Sequence, residues 1–163
     1  MEHAAGASGW AIALQESAFA FAIRDSTWIY PIANLLHILG LALLIGSILI
    51  LDLRLLGVGR WVAVDALSRL TTPFSIIGIC LMLVSGSVLF SADAAALSTN
   101  PIFRLKMLLL AAGLANALLF RLLWQRRIAG WSDRAPLGAR LQAGLSGIGW
   151  LAVASCGRLI AYF

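Results

Sequence analysis

The chain has 163 residues, of which 61% are hydrophobic and only 12% are charged. Soluble domains carry about 25% charged residues, and one soluble core of this length could not shield so many apolar side chains from water. The composition therefore excludes soluble, disordered, collagen-like and disulfide-stapled proteins, and it predicts a single integral membrane domain over residues 1–163. The net charge of +5 comes mostly from arginines in short loops between apolar runs, which is typical of membrane proteins and does not indicate nucleic acid as a partner.

The segment 9–24 predicts an amphipathic helix that lies at the membrane interface. It is apolar, but it is too short to cross a bilayer, which requires about 20 residues. Trp10, Leu14, Ala18 and Phe21 recur at helical spacing and place apolar side chains on one face. We therefore expect this helix to rest on the membrane surface before the first span begins.

Four longer apolar segments predict membrane-spanning helices. Their bounds are about 28–51, 73–90, 101–124 and 141–163. The first is about 36 Å long as a helix, which is enough to cross a hydrocarbon core of about 30 Å. Asp52 and Arg54 follow it, and we expect them at the membrane boundary, where they pair or order the next loop. The predicted fold class is all-α: an integral membrane four-helix bundle with an N-terminal interfacial amphipathic helix.

The distribution of lysine and arginine predicts the orientation in the membrane. The segments 52–72 and 121–140 lie on one face and carry Arg54, Arg60, Arg69, Arg121, Arg126, Arg127, Arg134 and Arg140. The opposite half carries only Arg24, Arg104, Lys106 and Arg158. Because basic loops stay in the cytoplasm, both termini are predicted to be periplasmic, in the inner (cytoplasmic) membrane of a bacterium.

Three of the basic residues inside the predicted spans stand out by their depth, and polar and charged groups there are costly and mark functional sites by default. His37 lies about 13 Å along the first span, and Lys106 lies about 7–8 Å into the third. Arg158 lies at a similar depth near the end of the fourth span. All three belong to the same half of the membrane although they come from three helices, so a four-helix bundle can direct them into one cavity.

This combination predicts a site for haem b. Imidazole is a common ligand of haem iron, and an apolar macrocycle with two carboxylates on one edge matches a deep histidine and two shallower cations. In this arrangement His37 is the axial ligand, and Lys106 and Arg158 bind the propionates. Gly40, one turn from the histidine, gives room for the ring plane. Asn34 is either a further contact to the cofactor or an interhelical hydrogen-bond partner.

The histidine content limits the number of haems. His3 and His37 are the only histidines of the chain, and two stacked haems with two histidine ligands each would need four. At most one haem per chain is therefore predicted. Its sixth coordination position is open or is filled by Met82, Lys106 or water.

Each of these residues also has an ordinary structural interpretation. His37 can hydrogen-bond a neighbouring helix, and Lys106 and Arg158 can extend towards the interface. Met82 more often fills a hydrophobic core than it binds a metal. Copper is a weaker alternative to haem, because Cu(I) prefers thiolate and thioether ligands grouped together, whereas Cys80 and Met82 face apart on the second span.

Two segments resemble small four-span bacterial membrane proteins related to the copper resistance D family. The first, which begins at Tyr30, reads YPIANLLHILGLALLIGSILILDLRLLG, and the second, which begins at Asn100, reads NPIFRLKMLLLAAGLANALLF. The ending GRLIAYF is similar to that of one branch of the group. The resemblance covers residues 26–163 and does not itself specify a function.

A more distant likeness is to the four-helix membrane protoporphyrinogen oxidase family. That family has a histidine early in a first span, followed by a glycine and by an Arg-Leu pair near the end of the span. His37, Gly46 and Arg54-Leu55 match this pattern. Its lysine at the start of a later span, before a leucine run, is matched by Lys106 in RLKMLLL. Since the histidine and the lysine are the important pair of that haem b family, the resemblance implies haem at His37 and a functional role for Lys106.

Three functions are consistent with these residues. The leading one is a haem-binding membrane protein that transfers electrons or carries out a haem-dependent oxidation near the periplasmic face, with quinone, a porphyrin or an electron-transfer protein as partner. The resemblance to the oxidase family implies an oxidoreductase. The second is a non-catalytic accessory subunit of a membrane complex. The third is copper or small-solute transport, for which a homo-oligomer would supply enough helices.

Overall fold

The computed structural model describes residues 7–131 and 134–162, and these residues form helices without strands. In chain order the helices are α1 (Gly9–Gln15), α2 (Ala18–Asp25), α3 (Ile29–Leu56), α4 (Val64–Ala92), α5 (Ala94–Thr99), α6 (Pro101–Trp124) and α7 (Leu137–Leu159). Short 3-10 turns follow at Ile128–Gly130 and Ile160–Tyr162. The last span thus begins at Leu137 rather than at 141. His3 and Phe163, the predicted end of that span, lie outside the described ranges.

Four helices are long and apolar enough to cross a membrane. They are α3, α4, α6 and α7, the last extended by its 3-10 turn. Their outward faces carry large apolar side chains, such as Leu108, Leu122 and Leu145, each at least 70% exposed in the isolated chain. An apolar surface of this extent requires lipid around it rather than water. The chain is therefore a multi-pass membrane protein built as an all-α helical bundle, which confirms the predicted fold class.

The closest helix pair of the bundle is α3 with α4, and α7 packs against both α3 and α6. Two glycines bring α3 and α4 together. Gly40 and Gly78 face each other, and a methyl group at either position would lie within 3.0 Å of the other's carbonyl oxygen. Small residues of this kind let helix backbones approach closely in membranes.

Side-chain contacts connect α4 with α6 near both ends of the two helices. At one end, the rings of Phe90 and Phe103 stack with their centroids 5.4 Å apart. At the other end, Arg121 donates a hydrogen bond to the hydroxyl of Thr72 over 2.6 Å. Two internal cavities lie near these two ends of the bundle, one beside His37 and one beside Asp52.

The helix α4 begins at Val64 and not at Pro73, where the second span was predicted to begin. Proline removes one backbone hydrogen bond from a helix interior. In membrane helices this loss is tolerated because neighbouring helices and Ser/Thr side chains satisfy the backbone. Pro73 leaves the carbonyl of Arg69 without its helical partner, and the helix nevertheless continues through the proline.

The helix α3 continues to Leu56 and is closed by Gly57, whose φ of +111° is a left-handed conformation that favours glycine. Arg54 is only 3% exposed and points into the following loop. It donates to the carbonyls of Val62 and Arg60 over 2.6 and 3.0 Å. Arg54 thus orders the loop between α3 and α4, which is one of the two roles predicted for it.

The N-terminal segment forms two short helices rather than the single helix predicted over 9–24. The break lies at Ser17, whose hydroxyl donates to the carbonyl of Leu14 and accepts from the backbone N–H of Ala20. Serine is a preferred N-cap, so it ends α1 and begins α2. The two helices cover the end of the bundle: Arg24 donates to the carbonyl of Ala92, which ends α4.

Candidate functional site

A cavity of about 1050 Å³ lies at the end of the bundle where α3 and α6 begin, and we call it the His37 cavity. Four of the predicted site residues line it: Asn34, His37, Lys106 and Arg158. They come from α3, α6 and α7, so residues far apart in the chain share one space. The antiparallel arrangement of the spans brings the start of α3 and α6 to the end of α7.

The ring of His37 is held from α4. Its Nδ1 lies 3.1 Å from Oγ of Ser85, and the Ser85 hydroxyl donates to the carbonyl of Leu81. When the hydroxyl proton points to that carbonyl, the serine oxygen accepts from Nδ1–H, and Nε2 keeps its lone pair. Histidines that bind metals usually donate their second ring N–H in this way. The contact with Ser85 is thus of the kind that positions a metal-binding histidine.

Gly86 lets the imidazole lie against α4. A methyl group at this position would lie 3.1 Å from Cε1 of His37, which is tighter than an ordinary contact. In the sequence, Ser85 and Gly86 belong to a run of small residues typical of helix packing. The run itself does not predict that Ser85 and Gly86 contact His37, because that contact depends on how α3 and α4 are aligned along each other.

Two cations line the cavity. Nζ of Lys106 reaches from α6 to α7 and lies 3.5 Å from where a methyl group on Gly157 would be. The guanidinium of Arg158 donates to the Tyr162 hydroxyl over 2.6 Å and lies over its ring at 4.9 Å. Neither cation forms an ion pair with a carboxylate in the part of the chain that the structure describes. Asp93 also lines the cavity, so two cations stand against one carboxylate there, and the cavity can accept an anionic group.

Two predicted site residues lie outside the lining of the cavity. Gly40 is buried against α4, where it brings the two helices together. Met82 is 5% exposed and packs with Leu44 and Trp150 in a buried cluster. Its side chain therefore fills the core, which is the structural role that the sequence also allowed.

The remaining polar lining comes from helix ends that the sequence did not single out. Tyr30 lies in the first turn of α3, while Asp93 and Asn100 flank α5. Asn100 has a structural task as well, because its side-chain oxygen accepts from two backbone N–H groups in the first turn of α6. These residues reach the cavity because α5 turns the chain back at this end of the bundle.

A family model matches residues 16–163 of the chain, and its description is "Family of unknown function (DUF6644)". The match includes all four spans and the residues that line the His37 cavity. No curated protein and no solved structure matches the chain.

Proposed function

The chain belongs to the family DUF6644, and we propose that it is a bacterial inner-membrane protein that binds one b-type haem in the His37 cavity. Its role is electron transfer or a haem-dependent oxidation. The observation that carries the proposal is that His37, Lys106 and Arg158 line one cavity although they belong to three helices. A histidine with a free nitrogen and two cations without a carboxylate partner are the groups that an iron porphyrin with two propionates needs.

The size and the lining of the cavity support the haem proposal. Its volume of about 1050 Å³ slightly exceeds the usual range of ligand pockets, roughly 300–1000 Å³, so it leaves room for a large cofactor. Leu41 and Val153 contribute apolar walls beside the polar groups. Apolar walls suit a macrocycle, while the charged groups suit its carboxylates. These features support haem over a small polar ligand.

Haem supplies one-electron redox chemistry when it is bound. The residues of the chain would bind and orient it. Nε2 of His37 would ligate the iron, and Ser85 would hold the imidazole by accepting the Nδ1 proton. Lys106 and Arg158 would donate charge-assisted hydrogen bonds to the propionates. Their positive charges would also favour the reduced state of the iron.

The orientation in the membrane is part of the proposal. The two basic loops meet at the Asp52 end of the bundle, because Ile128 from one loop packs with Leu55 and Val64 beside the other. This end would face the cytoplasm by the positive-inside rule. The His37 cavity would then lie near the periplasmic face, where its partner would be a quinone, a porphyrin or a redox protein.

Lys106→Gln is expected to weaken haemin binding by about 10-fold or more. A hydrogen bond to a charged group contributes about 1.5–3 kcal/mol, and about 1.4 kcal/mol corresponds to a factor of ten. The measurement is a titration of the detergent-purified protein with haemin, followed by the Soret absorbance. The wild-type protein should bind one haemin per chain.

The matched control for this variant is Arg104→Gln. Arg104 lies on the same helix, but it is exposed and donates to the carbonyl of Ser98 outside the cavity lining. The control should keep the wild-type affinity. Equal affinities of Lys106→Gln and the wild-type protein would remove Lys106 from the site. A wild-type protein that takes up no haemin and co-purifies with another membrane protein would favour the accessory-subunit function instead.

A further inference from the structure

A second cavity, of about 200 Å³, lies at the other end of the bundle, and we call it the Asp52 cavity. All four spans contribute to its walls. A buried cluster that includes Leu44, Met82, Trp150 and Val153 lies between the two cavities. Leu44 and Trp150 line the Asp52 cavity, whereas Val153 lines the His37 cavity. The two sites are therefore separate.

Two side chains of the Asp52 cavity have buried polar atoms without a hydrogen-bond partner. Asp52 is 7% exposed, and its Oδ2 has no partner. Trp150 is fully buried, and its Nε1 has no partner. Buried polar groups are normally hydrogen-bonded, and an unpaired buried charge is especially costly. An acceptor and a donor that line the same cavity therefore indicate that something polar fills it.

No cation of the described chain neutralises Asp52. The ion pair found within the described ranges joins Arg69 to Asp65 on α4. Arg54 is two residues away from Asp52, but its guanidinium bonds to loop carbonyls. The carboxylate of Asp52 thus forms no ion pair in the part of the chain that the structure describes, and Arg121, which lines the same cavity, is bonded to Thr72 instead.

The hydroxyl groups around the cavity present acceptor oxygens to it. Those of Ser47, Thr71, Thr72 and Ser75 each donate to a carbonyl of their own helix, three or four residues earlier. A hydroxyl has one proton and two lone pairs. The oxygens of Ser47 and Ser75 also bond each other over 2.7 Å, and that of Thr72 accepts from Arg121, so part of their acceptor capacity is already used. The lone pairs that remain, together with one carboxylate, suit a positively charged ligand.

We propose that the Asp52 cavity binds a hydrated monovalent metal cation, with Asp52 as its anionic ligand and Trp150 Nε1 donating to a water molecule of its hydration shell. Oxygen ligands select hard cations, such as those of the alkali metals, over soft ones. A single carboxylate balances a single positive charge. The volume of the cavity leaves room for several water molecules beside the ion.

The test is a comparison of melting temperatures of the full-length protein in detergent, in NaCl, KCl or choline chloride at the same ionic strength and pH. Choline is a quaternary ammonium ion, so oxygen ligands cannot coordinate it as they coordinate a metal ion. A ligand that binds the folded state at ten times its dissociation constant should raise the melting temperature by about 3–6 °C. A rise in NaCl or KCl over choline chloride supports the site. Equal melting temperatures in all three salts would overturn it, and this result needs no variant.

Asp52→Asn should remove the response to the cation. The matched control is Asp65→Asn, which removes a carboxylate on the surface of α4 and should keep the full response. A response that persists in Asp52→Asn would overturn the assignment of the ligand. His37→Ala should also keep the response, because the buried cluster separates the two cavities. The experiments can therefore overturn the haem proposal and the cation proposal independently of each other.

Discussion

His37→Ala is expected to lower the affinity for haemin by more than about 100-fold and to remove the Soret band of the purified protein. Loss of a hydrogen-bond partner of a metal ligand already costs about 10–100-fold in affinity, and loss of the ligand itself costs more. Ser85→Ala should therefore give a smaller loss, of about 10-fold, since Ser85 holds Nδ1 of the imidazole. The measurement is haemin titration of each variant.

The control for this variant is His3→Ala, which removes the other histidine of the chain. It should bind haemin as the wild-type protein does. Added imidazole should restore part of the Soret band of His37→Ala, because the free base can occupy the space that the side chain leaves. Wild-type affinity in His37→Ala would show that the histidine packs against α4 and does not ligate iron.

Gly78→Ala is expected to destabilise the bundle by about 3 kcal/mol or more, which lowers the melting temperature by about 6–12 °C. A methyl group at this position would lie 2.6 Å from the backbone nitrogen of Leu44 and 2.8 Å from the carbonyl oxygen of Gly40. Both atoms belong to the backbone of α3, so the conflict can be relieved only by moving the helices apart. Thermal unfolding in detergent, followed by circular dichroism, measures the change.

Gly46→Ala makes the same substitution on α3, where no atom lies within 4 Å of the added methyl group. It should leave the melting temperature unchanged or raise it slightly, because alanine favours helices over glycine. A Gly78→Ala variant as stable as Gly46→Ala would contradict the close packing of α3 on α4.

The general architecture could be predicted because a bilayer imposes a simple rule on the sequence. Apolar runs of sufficient length must be helical, since lipid cannot satisfy backbone hydrogen bonds. Pro73 illustrates where the rule is too coarse. It indicates a helix start in a soluble protein, but here α4 begins at Val64, packs along α3 and continues through the proline. Ser17 was a visible cap, and its position inside an apolar run concealed the break between α1 and α2.

The candidate site could be predicted only in part. The depth of His37, Lys106 and Arg158 along their spans places them in one half of the membrane, and all three line one cavity. The depth of a residue along its span does not predict which neighbouring helix a small residue such as glycine or serine contacts. Gly40 therefore turned out to contact α4, and Ser85 turned out to contact His37. Both contacts depend on the register between two helices.

Asp52 and Arg54 were expected at the membrane boundary, where they pair or order the next loop. Asp52 does not pair with Arg54; it is buried and lines a cavity with polar residues of a helix that begins nine positions before the predicted start. A signal existed in the sequence: Ser68, Thr71 and Ser75 recur at helical spacing and form one polar stripe. The stripe becomes visible only when the helix is extended to the N-terminal side of Pro73.

The haem proposal is tested most directly by the reduced-minus-oxidised absorption spectrum of the wild-type protein, purified in detergent from bacterial membranes without added haemin. We expect a Soret band with sharp bands in the reduced state and a content of one haem per chain. A flat spectrum, both as purified and after reconstitution with haemin, would contradict the proposal and would leave His37 as a residue that packs α3 against α4.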